Sequence, residues 1–125
     1  MGISIYYVAK REQPLTPAEQ KAINDLVGRY AIQDLLAEHE RTGQGYNGES
    51  FCIYDPDDPT EPGAIFEGAT RLPDNSEEVF WYGIQHWCRL LSEIRRLLSG
   101  ASWQVHIDDH DVVWDEKRRE YDPSQ

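Results

Sequence analysis

SFCIYDPDDPTEPGAIFEGA, residues 50–69, is the stretch on which the fold class turns. Two short apolar runs, 50–54 and 64–69, flank a segment that contains Pro56, Pro59 and Pro62. Apolar runs of that length bounded by turn formers read as strands. Proline has no amide N–H to give to a ladder, so the intervening segment stays out of any sheet. The stretch is therefore expected to be a β-hairpin across residues 55–63.

Outward from it the hydrophobic period changes on both sides. Toward the N-terminus, Thr16-Pro17-Ala18-Glu19 supplies a helix N-cap, a proline at the first helical position and a capping-box glutamate. Ala22, Ile23, Leu26, Val27 and Tyr30 then recur at helical spacing and make a stripe wide enough to cover a sheet. The stripe slips near Ala31. Ile32, Leu35 and Leu36 continue it as a bent helix or form a short separate turn, before Gly43, Gly45 and Gly48 break regular structure, so residues 32–48 carry no firm assignment. Further back, residues 3–8 (ISIYYV) alternate with a period of two and carry apolar groups on both faces, the pattern of a central strand.

Toward the C-terminus, residues 76–99 form the most amphipathic segment, capped at Asn75 or Ser76, with Glu77 and Glu78 at the positive end of the helix dipole. Phe80, Ile84, Trp87, Cys88, Leu91, Ile94 and Leu98 line one side of it. Trp103, Val105 and Ile107 alternate with Gln104 and His106, and residues 112–114 are suited to a fifth, edge strand. The resulting order, β-α-β-β-α-β, predicts an α+β domain over residues 1–115. It would be a ferredoxin-like sandwich with a four- to five-stranded antiparallel sheet and two principal helices. Residues 116–125 are expected to be a polar C-terminal tail that frays. Strands 3–8 and 103–107 should be neighbours. Many unrelated functions use such a fold, so function has to come from particular residues.

Composition narrows the field. The 12 Lys and Arg against 23 Asp and Glu give a net charge of −11, which repels phosphate backbones and argues against nucleic-acid partners. No stretch approaches the roughly 20 apolar residues of a membrane span. The residues after Met1 have no basic region or apolar run of signal-peptide length, and Tyr6 stands where a myristoylation motif wants Ser or Thr. A cytoplasmic location is expected, with no membrane partner and no cofactor implied. Cys52 and Cys88 are expected to be buried, reduced thiols.

The candidate nucleophiles and glycines fall in no catalytic motif. His86 and Cys88 stand two apart on a helix and diverge, the serines lie in no G-x-S-x-G setting, and the glycines at 43, 45 and 48 follow no strand. The densest ligand set is His106, Asp108, Asp109, His110 and Asp111, read first as a solvated turn, with His106, Asp108, His110 and Asp111 as the alternative, a divalent-metal site. The loop carboxylates Asp55, Asp57, Asp58 and Glu61 miss the EF-hand pattern, because Pro59 and Thr60 occupy its fifth and sixth positions.

Charge and aromatic residues point instead to a partner surface. Residues 55–78 hold eight acidic residues against one basic, Arg71, a local charge of −7. Such concentration steers a basic partner. Phe80, Trp81 and Tyr82 cannot all bury against one neighbour, which leaves Trp81 or Tyr82 for a partner or for a small second core under residues 32–48. The expected function is a small acidic cytosolic binding protein that engages a protein with a basic surface through Asp55, Asp57, Asp58, Glu61, Trp81 and Tyr82. An inhibitor or immunity protein of a basic toxin is the particular form considered. The alternative is a small enzyme or ligand-binding protein. Its site would lie at His106 to Asp111 or on the open sheet face, where Tyr6, Tyr54, Ile65, Glu67 and His106 are expected to bind a ligand, pair with a second copy of the chain or receive the long loop.

Overall fold

Alternation in the first strand puts Ile5, Tyr7 and Ala9 on one face, and that face is where the core forms. The computed structural model describes residues 2–98 and 100–124; Met1, Ser99 at the expected end of the long helix, and Gln125 at the end of the expected tail lie outside them. β1 (Ser4–Lys10) pairs antiparallel on one side with β2 (Ala64–Arg71) and on the other with β3 (Ser102–Ile107), which pairs in turn with β4 (His110–Asp111). The sheet order is β2-β1-β3-β4. Tyr7 lies between Gly68 and Val105, and Val8 between Glu67 and Gln104, so the two alternating segments are neighbours as expected.

Among the described residues three helices accompany the sheet. α1 (Pro17–Arg29) opens on the expected capping box, with Glu19 N–H donating to Thr16 Oγ1 at 3.0 Å and Thr16 N–H donating to Glu19 Oε1 at 2.9 Å. The slip at Ala31 resolves as a break and a separate helix, α2 (Gln33–Thr42), stopped by Gly43 at φ 73, a left-handed conformation that glycine adopts without steric cost. α3 (Glu77–Leu97) is capped by Ser76 and buries Ile84, Trp87, Cys88, Leu90, Leu91 and Ile94. These side chains meet Ile5, Tyr7, Ala9, Phe66 and Val105 from the sheet and Ile23 from α1 in one apolar cluster. The Trp87 indole N–H, buried with them, donates to Tyr46 Oη at 2.9 Å and ties the segment after α2 to the core.

The chain is α+β with a four-stranded antiparallel sheet, but the β-α-β-β-α-β order of a ferredoxin-like sandwich is not reproduced. Residues 50–54 are not a strand. They run beside β2 and touch it through Glu49 N–H to Arg71 O at 3.0 Å and Tyr54 N–H to Glu67 O at 2.8 Å. Between these points hydroxyls take the place of the ladder. Cys52 N–H donates to Thr70 Oγ1 at 3.1 Å, and the Tyr7 hydroxyl donates to Cys52 O. Gly68 makes room, since a Cβ there would stand 2.1 Å from Cys52 O. This path leaves the Cys52 side chain exposed, contrary to expectation, whereas Cys88 is buried and its thiol is pushed up to about 12 by desolvation.

The C-terminus also departs from expectation. β5 (Val113–Asp115) does not extend the main sheet. It pairs with β6 (Glu120–Asp122) in a second, two-stranded sheet, and residues 116–125, expected to fray, include the buried Tyr121. Tyr121 N–H donates to Ser92 Oγ at 2.8 Å, and the Arg95 guanidinium both donates to Tyr121 Oη at 3.1 Å and lies 4.1 Å over the Trp114 ring.

Candidate functional site

The face of the sheet opposite the core is built by the other half of the same alternation. Tyr6 pairs with Ala69 and His106, and Val8 with Glu67 and Gln104, so these side chains share one side. Tyr6 is 40% exposed and stacks on His106 with ring centroids 5.0 Å apart. Ile65, expected among them, belongs to the core instead, because a register shift between Ala9 and Lys10 makes it the extra residue of β2.

Residues 55–63 border this face. An Asx-type turn starts the loop: Asp57 N–H donates to Asp55 Oδ1 at 2.9 Å and Asp58 N–H to Asp55 O at 3.0 Å. Thr60 then anchors it to β2, its N–H donating to Glu67 Oε1 at 2.5 Å and its hydroxyl to Glu67 Oε2 at 2.7 Å. Lys10 Nζ reaches Glu61 Oε1 at 2.9 Å. Held at these points, the loop leaves Asp55, Asp57, Asp58 and Glu61 exposed. Between loop and sheet lies a shallow cavity of about 220 Å³, lined by strand and loop residues that include Tyr6, Tyr54, Glu61, Glu67, Gln104 and His106. Tyr54 is 38% exposed, whereas Glu67 is only 6% exposed.

Comparison of the chain with protein-family models, curated proteins and solved structures gives no match. The side chains themselves therefore carry the functional argument.

Glu61 is the one member of the expected partner-binding set that lines this cavity. Trp81 lines a different one, beside Arg89, Arg118 and Asp122. Tyr82 stacks on His86 at 5.5 Å and meets Tyr46 edge-on at 6.4 Å, yet remains 43% exposed, as Trp81 is 40% exposed. Burial and the Trp87 N–H act in opposite senses on Tyr46, and burial prevails, so that its hydroxyl is pushed up to about 12. His86 also has a backbone partner, with Nε2 lying 2.7 Å from Tyr30 O.

The alternative metal set is divided by a hairpin. Asp108 and Asp109 form a two-residue turn between β3 and β4, with Asp108 at φ 50, a sign that suits the twist of a tight hairpin. His106 faces Asp111, and Ile107 faces His110, so the two histidines project from opposite sides of the sheet. His106 Nδ1 lies 2.8 Å from Asp108 O, a backbone contact within the turn. Among the described residues no three His, Cys, Asp or Glu side chains come together in a way that could hold a metal ion. No helix among them is long and apolar enough to cross a membrane.

The open face was legible as a face, because Tyr6, Glu67 and His106 fall on alternate positions. Gln104 and Thr60 were missed. Gln104 had a signal, its place between Trp103 and Val105 in an alternating run. Thr60 had none, since its role depends on where the loop crosses β2.

Proposed function

We propose that the protein is a small acidic binding protein that receives a protein partner with a basic surface on residues 54–61 and the adjoining open sheet face. Its narrower form is an inhibitor or immunity protein for a basic toxin, acting in the cytoplasm. Small size and concentrated charge support that form. The observation that carries the reading is the placement of exposed Asp55, Asp57, Asp58 and Glu61 at the rim of a sheet face that presents Tyr6 and Tyr54. Acidic side chains at a rim speed encounter, and tyrosines supply contact area at low entropic cost.

The test is capture from lysate on immobilised protein, comparing the parent with a variant in which Asp55, Asp57 and Asp58 are changed to Asn and Glu61 to Gln. Association kinetics on the recovered partner follow. Asparagine at 55 keeps the acceptor of the Asx turn, so the loop should hold its shape. The expected result is an association rate lowered by about tenfold at low salt with a nearly unchanged dissociation rate. Recovery of the same proteins with unaltered association rates rejects the reading. Sedimentation of the protein alone separates the rival occupant, a second copy of the chain paired through the open face, which requires a dimer.

A further inference from the structure

We infer that the cavity between the loop and the open sheet face is a socket for one arginine side chain of the basic partner, an inference that rests on the function proposed above. Glu67 carries the argument. The residue is 6% exposed, and a buried carboxyl side chain is costly unless its oxygens are partnered. Its two oxygens accept hydrogen bonds from Thr60, a neutral residue, at 2.5 and 2.7 Å. Among the described residues no Lys, Arg or His stands within ion-pair distance of it. Lys10, which lies on the same face two residues beyond Val8, is engaged by Glu61 at 2.9 Å. A buried carboxyl side chain with no cationic neighbour thus lines a cavity open to solvent, and a cation from outside is the partner that would complement it.

The lining selects the kind of cation. Two carboxylate oxygens offer about four acceptor sites, of which Thr60 uses two. The planar guanidinium brings several donors in a fixed fork and stacks on aromatic faces, and the cavity supplies Tyr6, Tyr54 and His106 as well as the Gln104 amide. At about 220 Å³ the space lies below the roughly 300–1,000 Å³ of sites for whole drug-sized ligands, and it suits a single long side chain.

NMR titration of the full chain with Nα-acetyl-arginine amide tests this, with the neutral isostere Nα-acetyl-citrulline amide as control. Saturable shifts at Tyr6, Tyr54, Gln104 and His106 are expected in the millimolar range, with citrulline weaker by at least about tenfold. Glu67→Gln should weaken arginine by a similar factor. Because Glu67 also anchors the loop, Tyr54→Ala at an exposed position provides a second variant, expected to weaken binding about threefold. Equal binding of citrulline, shifts confined to Asp55, Asp57 and Asp58, or unaltered arginine affinity in folded Glu67→Gln or Tyr54→Ala would overturn the inference. If the arginine response is absent while capture still depends on the loop carboxylates, the socket falls and the partner reading stands. Loss of the capture dependence alone bears on the partner reading only.

Discussion

Tyr7 shows how much one side chain organises. Its ring stacks on Phe51 at 4.7 Å, which brings residues 50–54 onto the core, and its hydroxyl donates to Cys52 O and meets Thr70 Oγ1 at 2.7 Å. Burial pushes the hydroxyl well above its ordinary pKa of 10.0, a shift that the hydrogen bond with Thr70 only partly offsets. The folded state therefore keeps a proton that the unfolded chain releases above about pH 10, so stability is full below that pH and falls as pH rises toward the folded value. Tyr7→Phe should cost about 1–3 kcal/mol at neutral pH, because Cys52 O loses its donor, and should flatten the alkaline decline measured by urea denaturation at pH 9 to 11.5. Tyr46, pushed up to about 12 mainly by burial, will retain part of that decline. An alkaline limb identical in parent and variant would show that the Tyr7 proton is not linked to folding.

At the scale of elements, the C-terminal hairpin of β5 and β6 is fastened to one side of α3. Ser92 Oγ donates to Cys88 O at 2.6 Å while accepting from Tyr121 N–H, and Arg96 donates to Arg119 O at 2.5 Å. Truncating a buried aromatic side chain costs about 3–5 kcal/mol, so Tyr121→Ala should lower the denaturant midpoint substantially and expose the amides of β5 to exchange. An unchanged midpoint would mean that residues 116–125 contribute nothing to folding. Sequence could not reveal this fastening, because the stretch is polar apart from Tyr121 and Pro123, and the anchor of Tyr121, Arg95, lies 26 residues away. Local signals fared better: Thr16, Pro17 and Glu19 marked the start of α1, and alternation marked β1 and β3. Residues 50–54 form a short apolar run bounded by turn formers, yet the hydroxyls of Thr70 and Tyr7, 18 and 45 residues from Cys52, replace the ladder that such a run implied. The open face was legible for the same local reason as β1, whereas the burial of Glu67 under Thr60 depends on a loop path that no period encodes.

For the whole molecule, concentrated like charge opposes folding, whereas under the proposed function it would favour association. The net charge of −11 includes the local −7 of residues 55–78, so folding brings like charges closer than they lie in the extended chain. Internal ion pairs offset this only slightly where they are exposed, as with Lys21 and Asp25 at 3.9 Å or Arg118 and Glu120 at 3.1 Å. Salt shortens the reach of these charges from about 30 Å at 0.01 M to about 3 Å at 1 M. The melting temperature of the parent should therefore rise as sodium chloride increases from about 0.01 to 0.5 M, a range across which that reach contracts severalfold. A variant neutralised at Asp55, Asp57, Asp58 and Glu61 should start higher and gain less. Under the proposed function, association with a partner of basic surface should slow over the same range, because the field that opposes folding of the isolated chain would be the one that draws such a surface in. Calorimetry and stopped-flow mixing on the same two proteins measure both effects. A parent melting temperature that falls with salt would mean that pairs such as Arg11 and Glu19, 2.5 Å apart, outweigh the repulsion, and the acidic surface would then carry no measurable cost to folding.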